Sequence, residues 1–208
     1  MKLQTPYPCN LPFLVSQKWG ENYKYYNDNF GQNGHNGWDF AIPVGTPIYA
    51  TFDGTVFFAG TDQTGALEIS IDSTCTFDYK DTQAQYRSLY GHLSVIKVKP
   101  NDKVVKGQLI GLSGNTGRYT TGPHLHYGIH PIANFQDLEP NNGMNGAVDP
   151  LHFFDGTYPS SPAKDKRAAA AFALRDWQVS VGIMDFAGET NPDIIRFGPK
   201  SQKQFNKY

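Results

Sequence analysis

Three short histidine motifs carry the side chains with which this chain could do chemistry. In His124-Leu-His126 the two imidazoles are two residues apart, so a β-strand would point both to one face, with Cα atoms roughly 6.5–7 Å apart. In His35-Asn-Gly-Trp-Asp39 an Asn-Gly turn would bring an imidazole and a carboxylate toward a common point. His92 lies in the third motif, Tyr-Gly-His-Leu. Imidazole and carboxylate are preferred zinc ligands, so the motifs indicate a metal site.

Each motif taken alone also fits a structural histidine held by hydrogen bonds. Taken together, they supply more groups than a structural role needs. A catalytic zinc ion usually takes three protein ligands and keeps one position for water. His35, Asp39 and His126 would fill the three ligand positions, which leaves His92 and His124 as bases beside the metal.

The ordered motifs resemble the lysostaphin/LytM-type zinc peptidoglycan endopeptidases over residues of about 15–155. The similarity extends to Val-Gly-Thr-Pro-Ile-Tyr-Ala, Asp-Gly-Thr-Val and Leu-Ile-Gly-Leu-Ser-Gly-Asn-Thr-Gly. It implies one zinc ion per chain held by His35, Asp39 and His126, with His92 and His124 as catalytic histidines. It also implies hydrolysis of a peptide bond in peptidoglycan, in the stem peptide or the cross-bridge. Trp38 departs from the family's small aliphatic residue and predicts an aromatic wall at the site.

The elements that must position these groups are predicted to be β-strands. Short alternating or β-branched runs punctuated by Gly, Pro, Asn and Asp fill residues 11 to about 157 and predict a mostly β, antiparallel, sandwich-like peptidase domain. The polar stretch from Asp72 to Ser88 is predicted to be a surface loop. After Tyr158 a Pro- and Ser-rich linker precedes an amphipathic stripe. We therefore expect a metallopeptidase domain over 1–158 and a linker with a short helical C-terminal appendage over 159–208.

Composition narrows the partners and the compartment. The 208 residues carry a net charge of −1 with no basic run, which argues against nucleic acid. No apolar stretch reaches the roughly 20 residues of a membrane span, and the first residues lack the apolar core of a secretory signal. A peptidoglycan enzyme acts on the cell wall, so we expect an extracellular or periplasmic protein, or a phage lysis or tail component. Cys9 and Cys75 could form one disulfide or remain two thiols.

Other interpretations remain at this point. A relative with the same fold could bind the wall or activate a partner enzyme without catalysis, although such proteins typically lack some of the five site residues. A biotinyl- or lipoyl-type carrier domain would explain two hairpin-like segments but not the histidines. His124 is our choice for the general base, and the division of roles with His92 stays open. The C-terminal appendage could bind the wall or mediate oligomer contacts.

Overall fold

The computed structural model describes residues 8–10 and 13–154 of the chain. The described part forms mostly short strands. In chain order the elements are β1 (Leu14–Gln17), α1 (Tyr23–Phe30), β2 (Trp38–Ala41), β3 (Pro47–Tyr49), β4 (Gly54–Thr61), β5 (Leu67–Ser73), β6 (Phe77–Tyr79), β7 (Thr82–Leu93), β8 (Val95–Ile96), β9 (Lys103–Val104), β10 (Leu109–Leu112), β11 (Leu125–Ala133), β12 (Gln136–Asp137) and a 3₁₀ helix (Pro150–His152). The predicted C-terminal appendage lies outside the described residues.

Within the described residues, the strands form two antiparallel sheets. The large sheet has the order β1-β2-β11-β7-β5-β4-β9, with β12 added beside β11 and β6 beside β7. The small sheet has the order β3-β10-β8. The prediction of a mostly antiparallel β fold is therefore confirmed. No helix in the described part is both long and apolar enough for a membrane crossing.

One apolar core is shared by the two sheets. Ile69 and Tyr127 of the large sheet and Ile48 and Ile110 of the small sheet are all fully buried in the same cluster. Burial of a side chain of this size stabilises the fold by about 1.5–3 kcal/mol. Because strand residues alternate between faces, a strand that places Tyr127 in the core presents the neighbouring His126 on the opposite face. The packing of the core thus determines which side chains face the site.

A buried hydroxyl network fixes the two central strands beneath that face. The Oγ1 atom of Thr51 lies 3.0 Å from the hydroxyl of Tyr90 on β7 and 2.9 Å from the hydroxyl of Tyr127 on β11. The backbone N–H of Thr51 also donates to the Tyr90 hydroxyl. Burial raises the pKa of both tyrosines, so both phenols stay neutral donors. Satisfied polar groups in a core favour one arrangement of the strands that carry them.

The predicted surface loop from Asp72 to Ser88 is wrong. β5 continues to Ser73, β6 forms a hairpin with β7, and β7 begins at Thr82. In β7 the exposed or half-buried residues Gln83, Gln85 and Arg87 alternate with buried neighbours, so one face of the strand is polar. The polar residues of this strand face are the reason why the sequence predicted a loop.

Helix α1 is a second difference, because the sequence predicted only strands in this region. None of its eight residues is buried, and no apolar stripe announces it. Gly31, at a φ of 67°, ends the helix with its N–H bonded to the carbonyl of Asn27. Helix α1 is therefore held by its aromatic contacts rather than by core burial.

The two cysteines are not bonded to each other. Cys9 is buried and Cys75 is exposed, and both are free thiols. Burial raises the pKa of the Cys9 thiol, so that thiol is protonated at neutral pH and unreactive.

Candidate metal centre

Two neighbouring strands and the loop before one of them bring three ligand-type side chains together. Asp39 of β2 and His126 of β11 are direct cross-strand partners. His35 precedes β2 and is almost fully buried. The Nε2 atom of His35 lies 3.0 Å from Nδ1 of His126 and 3.1 Å from Oδ1 of Asp39, and that Nδ1 lies 3.0 Å from the same Oδ1. The three atoms form a nearly equilateral triangle.

Hydrogen bonds among the three atoms of this triangle cannot satisfy all of them. The Nδ1 atom of His35 lies 3.3 Å from the carbonyl of Lys18, and because a carbonyl only accepts, that nitrogen carries the ring's proton. In the neutral ring, the Nε2 lone pair then faces an Asp39 oxygen and a second imidazole nitrogen. A cation relieves these contacts. Zinc bonds of about 2.0–2.1 Å in a tetrahedral site place ligand atoms roughly 3.3 Å apart, close to the observed spacing. The donor set therefore fits a zinc ion.

The protonation states also suit metal binding, because ligands must be deprotonated. Burial by itself would raise the pKa of Asp39, but the imidazoles of His126 and His35 beside the carboxylate hold that pKa well below its usual range. Burial lowers the pKa of His126 to about 4, partly opposed by the hydrogen bond to Asp39. At neutral pH the carboxylate is ionised and the His126 imidazole is neutral.

His124 and His92 stand beside the triangle. The Nε2 atom of His124 lies 3.8 Å from Oδ1 of Asp39, and the two imidazole rings of His92 and His124 lie 4.5 Å apart. His124 shares the face of His126, as expected for residues two apart along an extended chain. All five side chains singled out from the sequence therefore meet in one place.

A β-bulge turns His92 toward this group. Leu67 pairs with Leu93 and Ile69 pairs with Tyr90, so Glu68 of β5 lies opposite two residues of β7, Gly91 and His92. His92 has a φ of 61°, a left-handed conformation that is uncommon for a residue with a Cβ. Without the extra residue, strand alternation would direct His92 to the core side. Bulges commonly re-aim side chains beside active sites.

Both of these histidines are held in one tautomer by the main chain. Nδ1 of His92 lies 2.7 Å from the carbonyl oxygen of Thr116, and Nδ1 of His124 lies 2.8 Å from that of Gly122. Each Nδ1 therefore donates its proton to a carbonyl, which leaves Nε2 as a proton acceptor in the neutral ring. Burial lowers the pKa of His92, with His124 nearby adding to the effect, so His92 is neutral at rest.

The cluster lies in a cleft of about 680 Å³. Helix α1 supplies one wall through Tyr25, Tyr26 and Phe30, and Tyr119 belongs to the loop opposite. The rings of Phe30 and Tyr119 meet edge to face at 4.9 Å. The cleft therefore has an aromatic wall, but the wall does not include Trp38, the residue that the sequence indicated.

Trp38 does not line the cleft, so the predicted role for it is wrong. Its side chain is 1% exposed and its ring lies 5.5 Å from that of Phe154 in the core. Trp38 neighbours Asp39 on β2, and because the Asp39 carboxylate faces the cleft, alternation sends Trp38 to the other face. The direction of a strand side chain follows from the strand register, which residue type alone does not give.

Two residues that line the cleft, Tyr26 and Glu68, belong to no sequence motif. Tyr26 stacks on His35 with ring centroids 5.4 Å apart, and burial together with nearby Asp39 raises the pKa of its phenol. Glu68 lines the opposite end of the cleft.

His130, by contrast, follows His126 on the same strand but is buried, with Nδ1 3.5 Å from a carboxylate oxygen of Asp137. His130 is a structural neighbour of the site.

The model of peptidase family M23 matches residues 33–142 of the chain, a segment that contains all five site residues. The chain belongs to peptidase family M23. M23 enzymes are zinc-dependent, and the resemblance to lysostaphin-type peptidases is confirmed.

Two bacterial relatives are named as endopeptidases, one for peptidoglycan and one for glycyl-glycine. The chain is 47% identical over 93 residues to the peptidoglycan DD-endopeptidase ShyA of Vibrio cholerae, covering 45% of this chain and 19% of that protein. It is 39% identical over 145 residues to the glycyl-glycine endopeptidase ALE-1 of Staphylococcus capitis, covering 66% of this chain and 35% of that protein. The chain thus spans about a fifth to a third of the length of these relatives.

Solved M23 structures share the fold. A zinc-containing peptidase from Vibrio cholerae aligns with a TM-score of 0.52 and 26% identity, covering 76% of this chain and 41% of that one. The antimicrobial peptidase lysostaphin from Staphylococcus simulans aligns with a TM-score of 0.51 and 28% identity, covering 73% of this chain and 56% of that one.

Proposed function

We propose that this M23 chain is a zinc metalloendopeptidase that hydrolyses peptide bonds of bacterial peptidoglycan, in the stem peptide or the cross-bridge. The observation that carries the proposal is the triangle of His35, Asp39 and His126, whose ligand atoms lie 3.0–3.1 Å apart with two further imidazoles beside it. The relatives named for peptidoglycan or glycyl-glycine cleavage support the substrate class.

His35, Asp39 and His126 would hold one zinc ion per chain. When bound, zinc supplies a Lewis acid that activates water near neutral pH and polarises the scissile carbonyl. The chain's own contribution is to keep the Asp39 carboxylate ionised and the His126 imidazole neutral. It also holds them on the paired strands β2 and β11, with His35 buried beside them.

His124 is the proposed general base. Its Nε2 accepts because Nδ1 donates to the Gly122 carbonyl, and that Nε2 lies 3.8 Å from an Asp39 oxygen, within reach of a water at the cluster. The protonated imidazole then returns its proton to the departing amine. His92, at 4.5 Å between ring centroids, is the second proton acceptor beside His124, because its Nδ1 donates to the Thr116 carbonyl and its Nε2 accepts.

Tyr26 is proposed as a hydroxyl donor to that oxygen. Its raised pKa keeps the phenol protonated, and its ring is fixed against His35. In the structure the hydroxyl donates to Oε1 of Gln17 at 3.5 Å, a long contact that a substrate oxygen would replace. A neutral donor directed at a developing oxyanion stabilises the transition state more than the ground state.

At the level of the chain, we propose that residues 1–158 form the peptidase domain and that 159–208 are an appendage that binds wall or mediates oligomer contacts. The substrate places the site of action at the cell wall, outside the cytoplasmic membrane or within a phage lysis or tail apparatus.

Elemental analysis of the purified chain, combined with a wall-digestion assay, tests the proposal. We expect about one zinc per chain and release of peptide fragments from purified peptidoglycan. A chelator should abolish release and added zinc should restore it. Mass spectrometry of the products identifies the bond. A folded, zinc-loaded chain that releases nothing from several wall types, yet sediments with them, would instead support a non-catalytic wall-binding protein.

A further inference from the structure

Glu68 is a half-buried carboxyl group in the same cleft and has no assigned role. Its pair partner on β4 is Gly60, and on the other side it faces the bulge at Gly91 and His92. Within the described part of the chain, Glu68 has no hydrogen-bond or ion-pair partner. A half-buried carboxylate without a counter-charge is costly, and a ligand that brings a positive charge into the cleft would remove that cost.

The position of Glu68 relative to the metal cluster follows from the strand pairing. Asp39, His126 and Gly91 pair in a row across β2, β11 and β7, and Glu68 follows on β5. Neighbouring strands are about 4.8 Å apart, so Glu68 lies roughly 10 Å from His126, or about three residues of extended peptide. Gly91, between them, has no side chain. A Cβ there would lie 3.4 Å from the Cβ of His126, so the glycine keeps the floor of the cleft low.

The other charged groups of this end of the cleft are already engaged. Asp62 accepts hydrogen bonds from the backbone N–H groups of Thr64 and Ala66, both at 2.8 Å. The guanidinium of Arg118 donates to the carbonyl of Gln63 at 3.5 Å. Neither group is an ion-pair partner of Glu68. Burial, with a smaller effect of Asp62, raises the pKa of Glu68 to about 7, which reflects the missing counter-charge.

We infer that Glu68 is a specificity-determining residue that binds an ammonium group of the substrate peptide, about three residues from the scissile bond. The inference rests on the proposed function, because the cleft must hold a peptide for the distance to matter. An ammonium group supplies three donors and the missing positive charge, and a carboxylate accepts them in short, charge-assisted hydrogen bonds. The ammonium comes either from a diamino-acid side chain or from a peptide terminus.

Binding of matched peptides tests this inference. The probe is a synthetic peptidoglycan stem tetrapeptide with one lysine, in three forms: only the side-chain amine free, only the terminal amine free, and both acetylated. The zinc-loaded full chain carries His124→Ala so that no peptide is cut, and dissociation constants are measured by calorimetry. We expect one amine-bearing form to bind roughly tenfold more tightly than the fully acetylated form. The form that does so identifies the source of the ammonium.

Glu68→Gln in the same background should remove that preference, because it keeps the size of the side chain and removes its charge. Asp81→Asn is the matched control, since Asp81 is an exposed carboxylate in the turn between β6 and β7. The control should retain the preference. Equal binding of all three peptides, or a preference that survives Glu68→Gln, would overturn the inference.

Wall digestion by the otherwise unaltered chain separates this inference from the proposed function. Glu68→Gln should slow digestion of wall with free amines and leave digestion of fully acetylated wall unchanged. If the unaltered chain digests neither wall, the proposed function fails, and the calorimetry still decides whether Glu68 reads an ammonium. If it digests both equally well with and without Glu68, the function stands and the inference fails.

Discussion

At the scale of single residues, the histidines of the cleft fall into two groups according to the partners of their nitrogens. His35 and His126 place a ring nitrogen 3.1 and 3.0 Å from Oδ1 of Asp39. His92 and His124, which like His35 donate Nδ1–H to a backbone carbonyl, keep Nε2 outside that triangle. The first arrangement suits a metal ligand and the second suits a base. Alanine substitutions in the two groups should therefore have different effects on zinc content and turnover.

The first prediction concerns metal content and turnover. His35→Ala should lose both zinc and activity, because it removes one of three ligands. His124→Ala should keep zinc but lose roughly 10²–10⁴-fold in turnover, the usual contribution of a general base. His152→Ala, an exposed histidine of the 3₁₀ helix, should change neither. Elemental analysis and wall digestion on the same preparations check all three. Loss of zinc from His124→Ala would contradict the assignment.

The second prediction concerns stability and pH. Burial raises the folded-state pKa of Glu68 to about 7, above the ordinary value of 4.5, so the folded protein holds this proton more tightly than the unfolded chain. Stability from this group is present below about pH 4.5 and is lost as the pH rises toward 7. Glu68→Gln should therefore become more stable than the unaltered chain across that window, by on the order of 1–3 kcal/mol after allowance for solvent screening.

Urea unfolding in the presence of chelator, at a series of pH values from 4 to 8, measures this difference. Asp81→Asn provides the control and should show no growing advantage. A stability difference between Glu68→Gln and the unaltered chain that stays constant with pH would contradict the raised pKa.

The sequence predicted some residues of the cleft and missed others. The five motif residues were found because the three motifs occur together and in the order that resembles the lysostaphin/LytM-type family. The structure brings the five side chains together, although their roles remain predictions. Glu68 and Tyr26 were missed, because neither belongs to a pattern: a lone Glu in a strand reads as surface. Their places follow only from strand pairing and helix docking, which couple residues far apart in the chain.

At the scale of elements, the site depends on the close approach of β2 and β11. A Cβ on Gly37 would lie 2.5 Å from the carbonyl oxygen of Tyr127 and 2.7 Å from Cε1 of His126. Backbone atoms cannot yield at such distances without moving the strand. The loop that carries His35 therefore requires glycine at this position because of contact, not because of backbone conformation.

Gly37→Ala should accordingly weaken zinc binding at least tenfold and destabilise the fold by about 1–3 kcal/mol. Gly60→Ala is the matched control, because its Cβ would meet only the end of the Phe58 ring, at 3.4 Å. Competition with a zinc-sensitive dye gives the affinity, and thermal unfolding gives the stability. Zinc affinity equal to that of the unaltered chain would show that β2 and β11 tolerate separation.

Elements differ in how far sequence predicts them. The strand that carries His126 was predicted correctly, because residues two apart in a strand point to one face, as the spacing of His124 and His126 suggests. The bulge at His92 was not, because a left-handed φ on a histidine is decided by pairing with β5 rather than by local preference. Helix α1 was missed for a similar reason: it buries nothing, so it leaves no periodic apolar signal.

At the scale of the whole molecule, the described fold is completed by two aromatic residues near its C-terminal end. The ring of Phe153 meets that of Tyr86 at 4.8 Å, and the ring of Phe154 lies 5.5 Å from Trp38 and 5.7 Å from Tyr127. These contacts lie on the core side of the strands that carry the metal cluster. The shortest chain that keeps these contacts must therefore include Phe153 and Phe154.

A chain ending at residue 158 should keep zinc binding and wall digestion, because every site and core residue described above lies before it. A chain ending at residue 152 should lose about 2–5 kcal/mol, since it lacks both aromatic rings. Thermal unfolding and elemental analysis of the two chains make the comparison. Failure of the first chain to bind zinc would show that residues beyond 158 contribute to the peptidase domain.

The carbonyl partners of His92 and His124 have a consequence for how such an enzyme diversifies. Thr116 and Gly122 hold the two rings through main-chain oxygens at 2.7 and 2.8 Å, and the loop between them brings the Thr120 side chain to His124, with Oγ1 3.4 Å from Nδ1. Arg118, Tyr119 and Thr121 line the cleft from that loop. These three positions are thus free to vary under selection, or in a library, without disturbing proton transfer. For the peptidase proposed above, substitutions at these three positions would change the contacts with the substrate while the main-chain partners of His92 and His124 stay in place.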